Sequence, residues 1–91
     1  MTPDELLRKA AATVGGDRRD DYGSAAESFA RIAKLWSALL GIEIALWQVA
    51  QLMAALKLSR LTTTHDYEDS YVDLAGYAAL GASLAVTKEP F

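Results

Sequence analysis

Two cations and two acids in the second half of the chain have the types and the spacing of a ligand-binding cluster. Lys57 and Arg60 are three residues apart, and Asp69 and Asp73 are four residues apart. Side chains three or four residues apart lie on one face of an α-helix, so each pair points in one direction. Converging carboxylates supply the oxygen ligands that Mg²⁺ binds, and an arginine beside a lysine can hold phosphate oxygens. With Tyr77 beside them, these groups would suit the phosphates of a nucleotide.

The same four charges also fit a purely structural role. Lys57 and Arg60 lie within roughly 60° of Met53 around the helix, on the stripe that should enter the core. Lysine and arginine are rarely buried unless they are paired, so Asp69 and Asp73 are the expected partners. The alternative to a ligand site is therefore a buried salt-bridge network. In either case, removing one partner should cost on the order of 3–5 kcal/mol if the remaining charge is stranded.

A second candidate site is the charged loop DRRDDYG at residues 17–23. Arg18 and Arg19 can clamp an anion, and Tyr22 can stack on a base. The alternative is an ordinary solvated loop whose charges pair with one another, and the sequence alone favours that alternative.

Other kinds of site are excluded by composition. The chain has one histidine, His65, and no cysteine, so a histidine triad, a disulfide and a thiolate metal site are all ruled out. No phosphate-binding glycine motif or nucleophile motif is present. A net charge of −3 argues against a dedicated nucleic-acid binder, which usually carries a basic face.

Four helices are predicted to position these residues. Thr2 and Pro3 begin the first helix, which stops at Gly15 and Gly16. The predicted bounds of the other three are Ser24–Leu40, ending before Gly41, then Ile44–Thr63, and finally His65 or Asp66 to Thr87. On the second helix, one face carries the apolar residues Phe29, Ile32, Trp36, Leu39 and Leu40, and Trp36 is expected in the core or at an interface.

The composition indicates a single all-α domain that spans residues 1–91 and self-associates. Hydrophobic residues make up 52% of the chain, and glycine and proline total eight. The fourth helix is apolar nearly all round, which is typical of a central helix or one at a subunit interface. No apolar run reaches about 18 residues without polar interruption, and the N-terminus does not resemble a signal peptide. We therefore expect a cytoplasmic protein with no membrane contact.

Four segments together resemble one family of small uncharacterised phage and prophage proteins, a domain of unknown function. They are RRDDYG at 18–23, ESFARIAKLWSALLG at 27–41, VAQLMAALKLSRL at 49–61 and HDYEDSYVDLAGYAAL at 65–80. The resemblance extends from about residue 10 to residue 84. More distantly, the chain is similar to a phage family associated with nucleotide modification and to MazG-type nucleoside triphosphate pyrophosphohydrolases.

The distant resemblance implies a helical oligomer that binds a nucleotide, with Mg²⁺ as the associated cofactor. The MazG-type enzymes hold magnesium through an E-E-x-x-E motif on one helix and an E-x-x-D motif on the next. Here the third helix carries Gln48, Gln51 and Lys57 where acids are expected, and only Asp69 and Asp73 echo the second motif. The sequence thus predicts a four-helix domain with antiparallel core helices in a MazG-like oligomer. It leaves open nucleotide binding or processing and a non-enzymatic homo-oligomer.

Overall fold

A computed structural model describes residues 1–15 and 25–87 of the 91-residue chain. Its helices are α1 (Pro3–Gly15), α2 (Ala25–Leu40), α3 (Leu46–Thr63) and α4 (Glu68–Ala82), and α4 continues into a π-helical segment, Ser83–Thr87. The described ranges contain no strand, which confirms the all-α prediction. None of the helices in these ranges is both long and apolar enough to cross a bilayer.

Two helix ends follow from the local sequence as predicted. The Thr2 hydroxyl accepts a hydrogen bond from the Glu5 backbone N–H at 3.2 Å, which satisfies one of the free donors at the start of α1. Gly41 follows α2 with a φ of +71°, a left-handed conformation that glycine adopts without a steric cost. Its N–H donates to the Ser37 carbonyl, so glycine ends α2 in the usual way.

The starts of α3 and α4 lie a few residues later than predicted because the connections hold their own hydrogen bonds. The Ile44 N–H donates to Ser37 Oγ at 2.9 Å, and the Ala45 N–H donates to Gln48 Oε1 at 2.8 Å. Both bonds keep residues 44–45 outside α3. Before α4, the Tyr71 hydroxyl donates to the His65 carbonyl at 2.7 Å. This bond ties the connection to the first turn of α4 instead of letting the helix extend backwards.

Close contacts fix the relative directions of three helices. Ala50 of α3 meets Gly81 of α4, and Lys57 of α3 meets Asp73 of α4. Residue numbers therefore increase along α3 in the direction in which they decrease along α4. These two helices are therefore antiparallel, as predicted. Along α1, Lys9 meets Glu68 and Val14 meets Gly76. Since both numbers increase together, α1 runs parallel to α4, and α4 lies between α1 and α3.

The core is formed where α2, α3 and α4 meet. The buried cluster consists of Phe29, Ala33, Ile44, Val49, Ala50 and Leu80. Val14 from α1 packs against this cluster, so the first helix also takes part in the core. Leu39 and Leu40, which the sequence places on the same apolar face as Phe29, are exposed. The core contacts of α2 reach only as far as Trp36, and its last turn lies beyond them.

Candidate functional site

The centre of the candidate site is an ion pair between α3 and α4. Lys57 Nζ lies 2.9 Å from Asp73 Oδ2, and the two side chains are 13% and 22% exposed. Lys57 faces inward on α3, one turn from partly buried Met53. The packing of α3 on α4 therefore brings this cation and this carboxylate together, as the sequence predicts.

Arg60 and Asp69 do not join that pair. Both residues are exposed, and neither makes an ion pair within residues 1–15 and 25–87. The expectation that Arg60 is a buried partner in a four-residue network is therefore wrong. Arg60 lies in the last turn of α3 and Asp69 in the first turn of α4, where both helices approach the connection and side chains reach solvent.

A second long-range ion pair, which the sequence did not suggest, lies beside Asp69. Lys9 of α1 donates a hydrogen bond to the carboxylate of Glu68 in the first turn of α4. This hydrogen bond and the charge of Glu68 raise the pKa of Lys9 above its ordinary value of 10.5, and the charge of Asp69 contributes further. The two acids at the start of α4 therefore share their surroundings with a cation from α1.

Tyr77 lies one turn beyond Asp73 on α4 and is half-buried. Its ring stacks on Phe29, with ring centroids 6.3 Å apart and an interplanar angle of 27°. The structure thus places Tyr77 against the core cluster, with α2 on one side of its ring. The other predicted ligand-binding residues, Arg18, Arg19 and Tyr22, lie outside the described residues.

The described residues fit a magnesium site poorly. Asp73 already holds the Lys57 ammonium, so a cation would have to displace that partner. Asp69 is exposed, and the described ranges bring together no group of three or more histidine, cysteine, aspartate or glutamate side chains that could hold a metal. Magnesium prefers a nearly octahedral set of oxygen ligands, of which these two acids supply only a part.

Comparisons with known proteins identify an uncharacterised phage domain. The model of the family described as a domain of unknown function, DUF6378, matches residues 5–85. The Gene 55 protein of Mycobacterium phage L5 is 40% identical over 76 residues, which are 82% of this chain and 49% of that protein. The Gene 55 protein of Mycobacterium phage D29 is 37% identical over 87 residues, 96% of this chain and 56% of that protein.

The chain therefore spans about half the length of the curated relatives that it matches. No solved structure matches it. The match to a phage domain agrees with the resemblance read from the four sequence segments. The likeness to MazG-type pyrophosphohydrolases stays a prediction.

Proposed function

The chain belongs to the DUF6378 family, and from that premise we propose that it binds a phosphate-bearing ligand of the nucleotide class without hydrolysing it. The observation that carries this proposal is that Arg60 and Asp69, which lie between the Lys57–Asp73 ion pair and the connection from α3 to α4, form no ion pair within the described residues. Arg60 and Asp69 are exposed on either side of the connection between α3 and α4. Their charges are available to a ligand, whereas Lys57 and Asp73 already pair with each other.

The cation that would bind phosphate is Arg60. Its guanidinium presents a planar fork of donors that matches two phosphate oxygens. Lys57, one turn before it, already donates toward Asp73 and would contribute mainly its charge. Asp69, at the other side, would accept hydrogen bonds from a sugar hydroxyl or a base amino group.

Binding without hydrolysis follows from the residue set. A magnesium-dependent pyrophosphohydrolase needs several carboxylates that converge on a metal-bound water. In the described ranges, Asp69 and Asp73 are the only predicted metal ligands, and one of them is neutralised by Lys57. The third helix offers Gln48 and Gln51 where acids would be needed.

Calorimetric titration with nucleoside triphosphates, with nucleoside diphosphates and with inorganic phosphate tests the proposal, each with and without Mg²⁺. Arg60→Gln should lower the affinity about 10- to 100-fold, since hydrogen bonds to charged groups contribute about 1.5–3 kcal/mol. Arg31→Gln is the matched control, because Arg31 is an exposed arginine on α2. Equal losses in both variants, or no binding by the wild type, would refute a site at Arg60.

A non-enzymatic homo-oligomer is the second candidate function, and a separate observation favours it. Lys57 and Asp73 satisfy each other's charge, which is sufficient to explain why both are largely buried. Several leucines on α2 and α3 are also exposed to solvent. If this candidate alone is correct, Asp73→Asn lowers the thermal stability, no nucleotide shifts the melting temperature, and the wild type sediments as an oligomer.

A further inference from the structure

The outer side of the last turns of α2 is apolar and uncovered. Leu35 is 64% exposed, Leu39 is 81% exposed and Ile42, just beyond Gly41, is 60% exposed. Leu35, exposed Ala38 and Leu39 follow the spacing i, i+3 and i+4, which places them along one side of the helix, and Ile42 follows just beyond the helix end. We call these four residues the α2 stripe. Its residues lie in the last turns of α2 and just beyond them, C-terminal to the buried residues Phe29 and Ala33.

We propose that the α2 stripe is the interface of a symmetric homodimer, in which the α2 helices of two copies pack antiparallel across a two-fold axis. This inference rests on the homo-oligomer candidate above and names its face and its symmetry. It is independent of nucleotide binding.

The charges beside the stripe favour a second copy in antiparallel orientation. Exposed Arg31 and Lys34 precede the stripe, and exposed Glu43 follows it. None of the three makes an ion pair in the part of the chain that the structure describes. An antiparallel arrangement brings the cations of one copy to Glu43 of the partner subunit at both ends of the interface. A parallel arrangement would set like charges against each other, which is unfavourable.

A two-fold interface uses one patch twice, so the α2 stripe needs no second complementary surface.

Sedimentation velocity and light scattering on the wild type and on Leu39→Glu test the proposal. The wild type should be dimeric. Leu39→Glu, which places two carboxylates in the apolar centre of the dimer, should weaken dimerisation about a hundredfold or more, since each buried leucine side chain contributes about 1.5–3 kcal/mol. Circular dichroism should show an unchanged helical fold, because Leu39 makes little contact within its own chain.

Leu7→Glu is the control, since Leu7 on α1 is 60% exposed and lies outside the stripe; this variant should remain dimeric. Lys34→Glu should weaken the dimer, and adding Glu43→Lys should restore it. A monomeric wild type would refute both the homo-oligomer and this face. A dimer that survives Leu39→Glu, or one that Leu7→Glu disrupts equally, would refute this face alone.

Discussion

The side chains of Lys57 and Asp73 are each slightly exposed. The energetic contribution of their ion pair should therefore lie between that of a fully buried pair and that of a fully exposed pair. Breaking a fully buried pair by removing one partner costs about 3–5 kcal/mol, and a fully exposed pair contributes about 0–1 kcal/mol. With side chains 13% and 22% exposed, a stranded partner regains part of its hydration. Arg60, although it lies one turn further along the same helix, is exposed and forms no ion pair in the described part of the chain, so it keeps its hydration.

Removing either partner of the Lys57–Asp73 pair should therefore destabilise the fold. We expect Lys57→Met and Asp73→Leu each to lower the free energy of unfolding by about 1–3 kcal/mol. The double variant should recover most of that loss, because no charge is then stranded. Urea unfolding of the three variants measures these changes.

The exposed Arg8–Asp4 pair on α1, with side chains 79% and 68% exposed, provides the control for this comparison. Arg8→Met should change the free energy of unfolding by less than about 1 kcal/mol. If Lys57→Met costs no more than Arg8→Met, the pair between α3 and α4 does not hold these helices together.

The Lys9–Glu68 contact should make stability depend on pH in the alkaline range. The folded-state pKa of Lys9 lies above its ordinary value of 10.5 because Glu68 accepts its hydrogen bond and carries the opposite charge. A raised pKa means that this contribution is fully present below pH 10.5 and is lost as the pH rises through the higher folded value. In thermal melts, the wild type should have a higher melting temperature than Lys9→Met at neutral pH. The difference between the two melting temperatures should disappear at strongly alkaline pH. A difference that is the same at both pH values would contradict the contact.

At the scale of the helices, α4 is shaped by the two neighbours on which it packs. A Cβ at Gly76 would lie 3.2 Å from Val14 Cγ2 of α1, and a Cβ at Gly81 would lie 3.2 Å from Ala50 Cβ of α3. Both glycines therefore allow a close approach of another helix. Their neighbours differ, however, because the Val14 methyl is at the end of a side chain, whereas Ala50 Cβ is fixed to the α3 backbone.

Alanine substitutions at these glycines should therefore differ in their effect. Replacing a helical glycine by alanine gains about 1 kcal/mol of helix propensity, and overpacking costs about 1–3 kcal/mol. We expect Gly76→Ala to stay within about 1 kcal/mol of the wild type and Gly81→Ala to destabilise by about 1–2 kcal/mol. Denaturant unfolding gives both values. Gly15→Ala, where a Cβ would meet nothing within 4 Å, should not destabilise by overpacking, and an equal loss at all three positions would contradict the packing explanation.

The sequence predicted the helices well and their ends less well. Thr2 and Gly41 act locally, so their roles could be predicted from residue type and position. The later start of α3 depends on a hydrogen bond from the Ile44 N–H to the hydroxyl of Ser37, seven residues earlier. The hydrophobic periodicity of the sequence carries no information about such a bond. Burial of Lys57 followed from the helical stripe, but the exposure of Arg60 depends on where the packing between α3 and α4 ends.

The pairing of Lys9 with Glu68 could not be predicted for a related reason. The two residues are 59 positions apart, and their meeting requires that α1 lie parallel to α4. Neither composition nor hydrophobic spacing specifies the direction in which a first helix packs on a fourth. The same limit applies to Leu39, which shares a helical stripe with core residues but lies beyond the point at which the core contacts of α2 end.

At the scale of the whole molecule, the proposed dimer would link the stability of a small core to the burial of an apolar surface. A domain of this size buries only about 60–65% of the surface that its unfolded chain exposes, and the α2 stripe leaves further leucine surface in water. In the proposed dimer, a second copy would remove that surface from water in the native state only. Folding and dimerisation should therefore be thermodynamically linked.

This linkage predicts that the melting temperature rises with protein concentration. Each tenfold increase adds about 1.4 kcal/mol per dimer, which corresponds to about 3–6 °C for a domain of this size if unfolding and dissociation occur together. Differential scanning calorimetry over a wide concentration range measures the shift. Leu39→Glu should melt at one temperature at all concentrations, whereas Leu7→Glu should follow the wild type. If the wild-type melting temperature does not change with concentration, its stability does not depend on a partner, and the exposed leucines of α2 contribute nothing to folding.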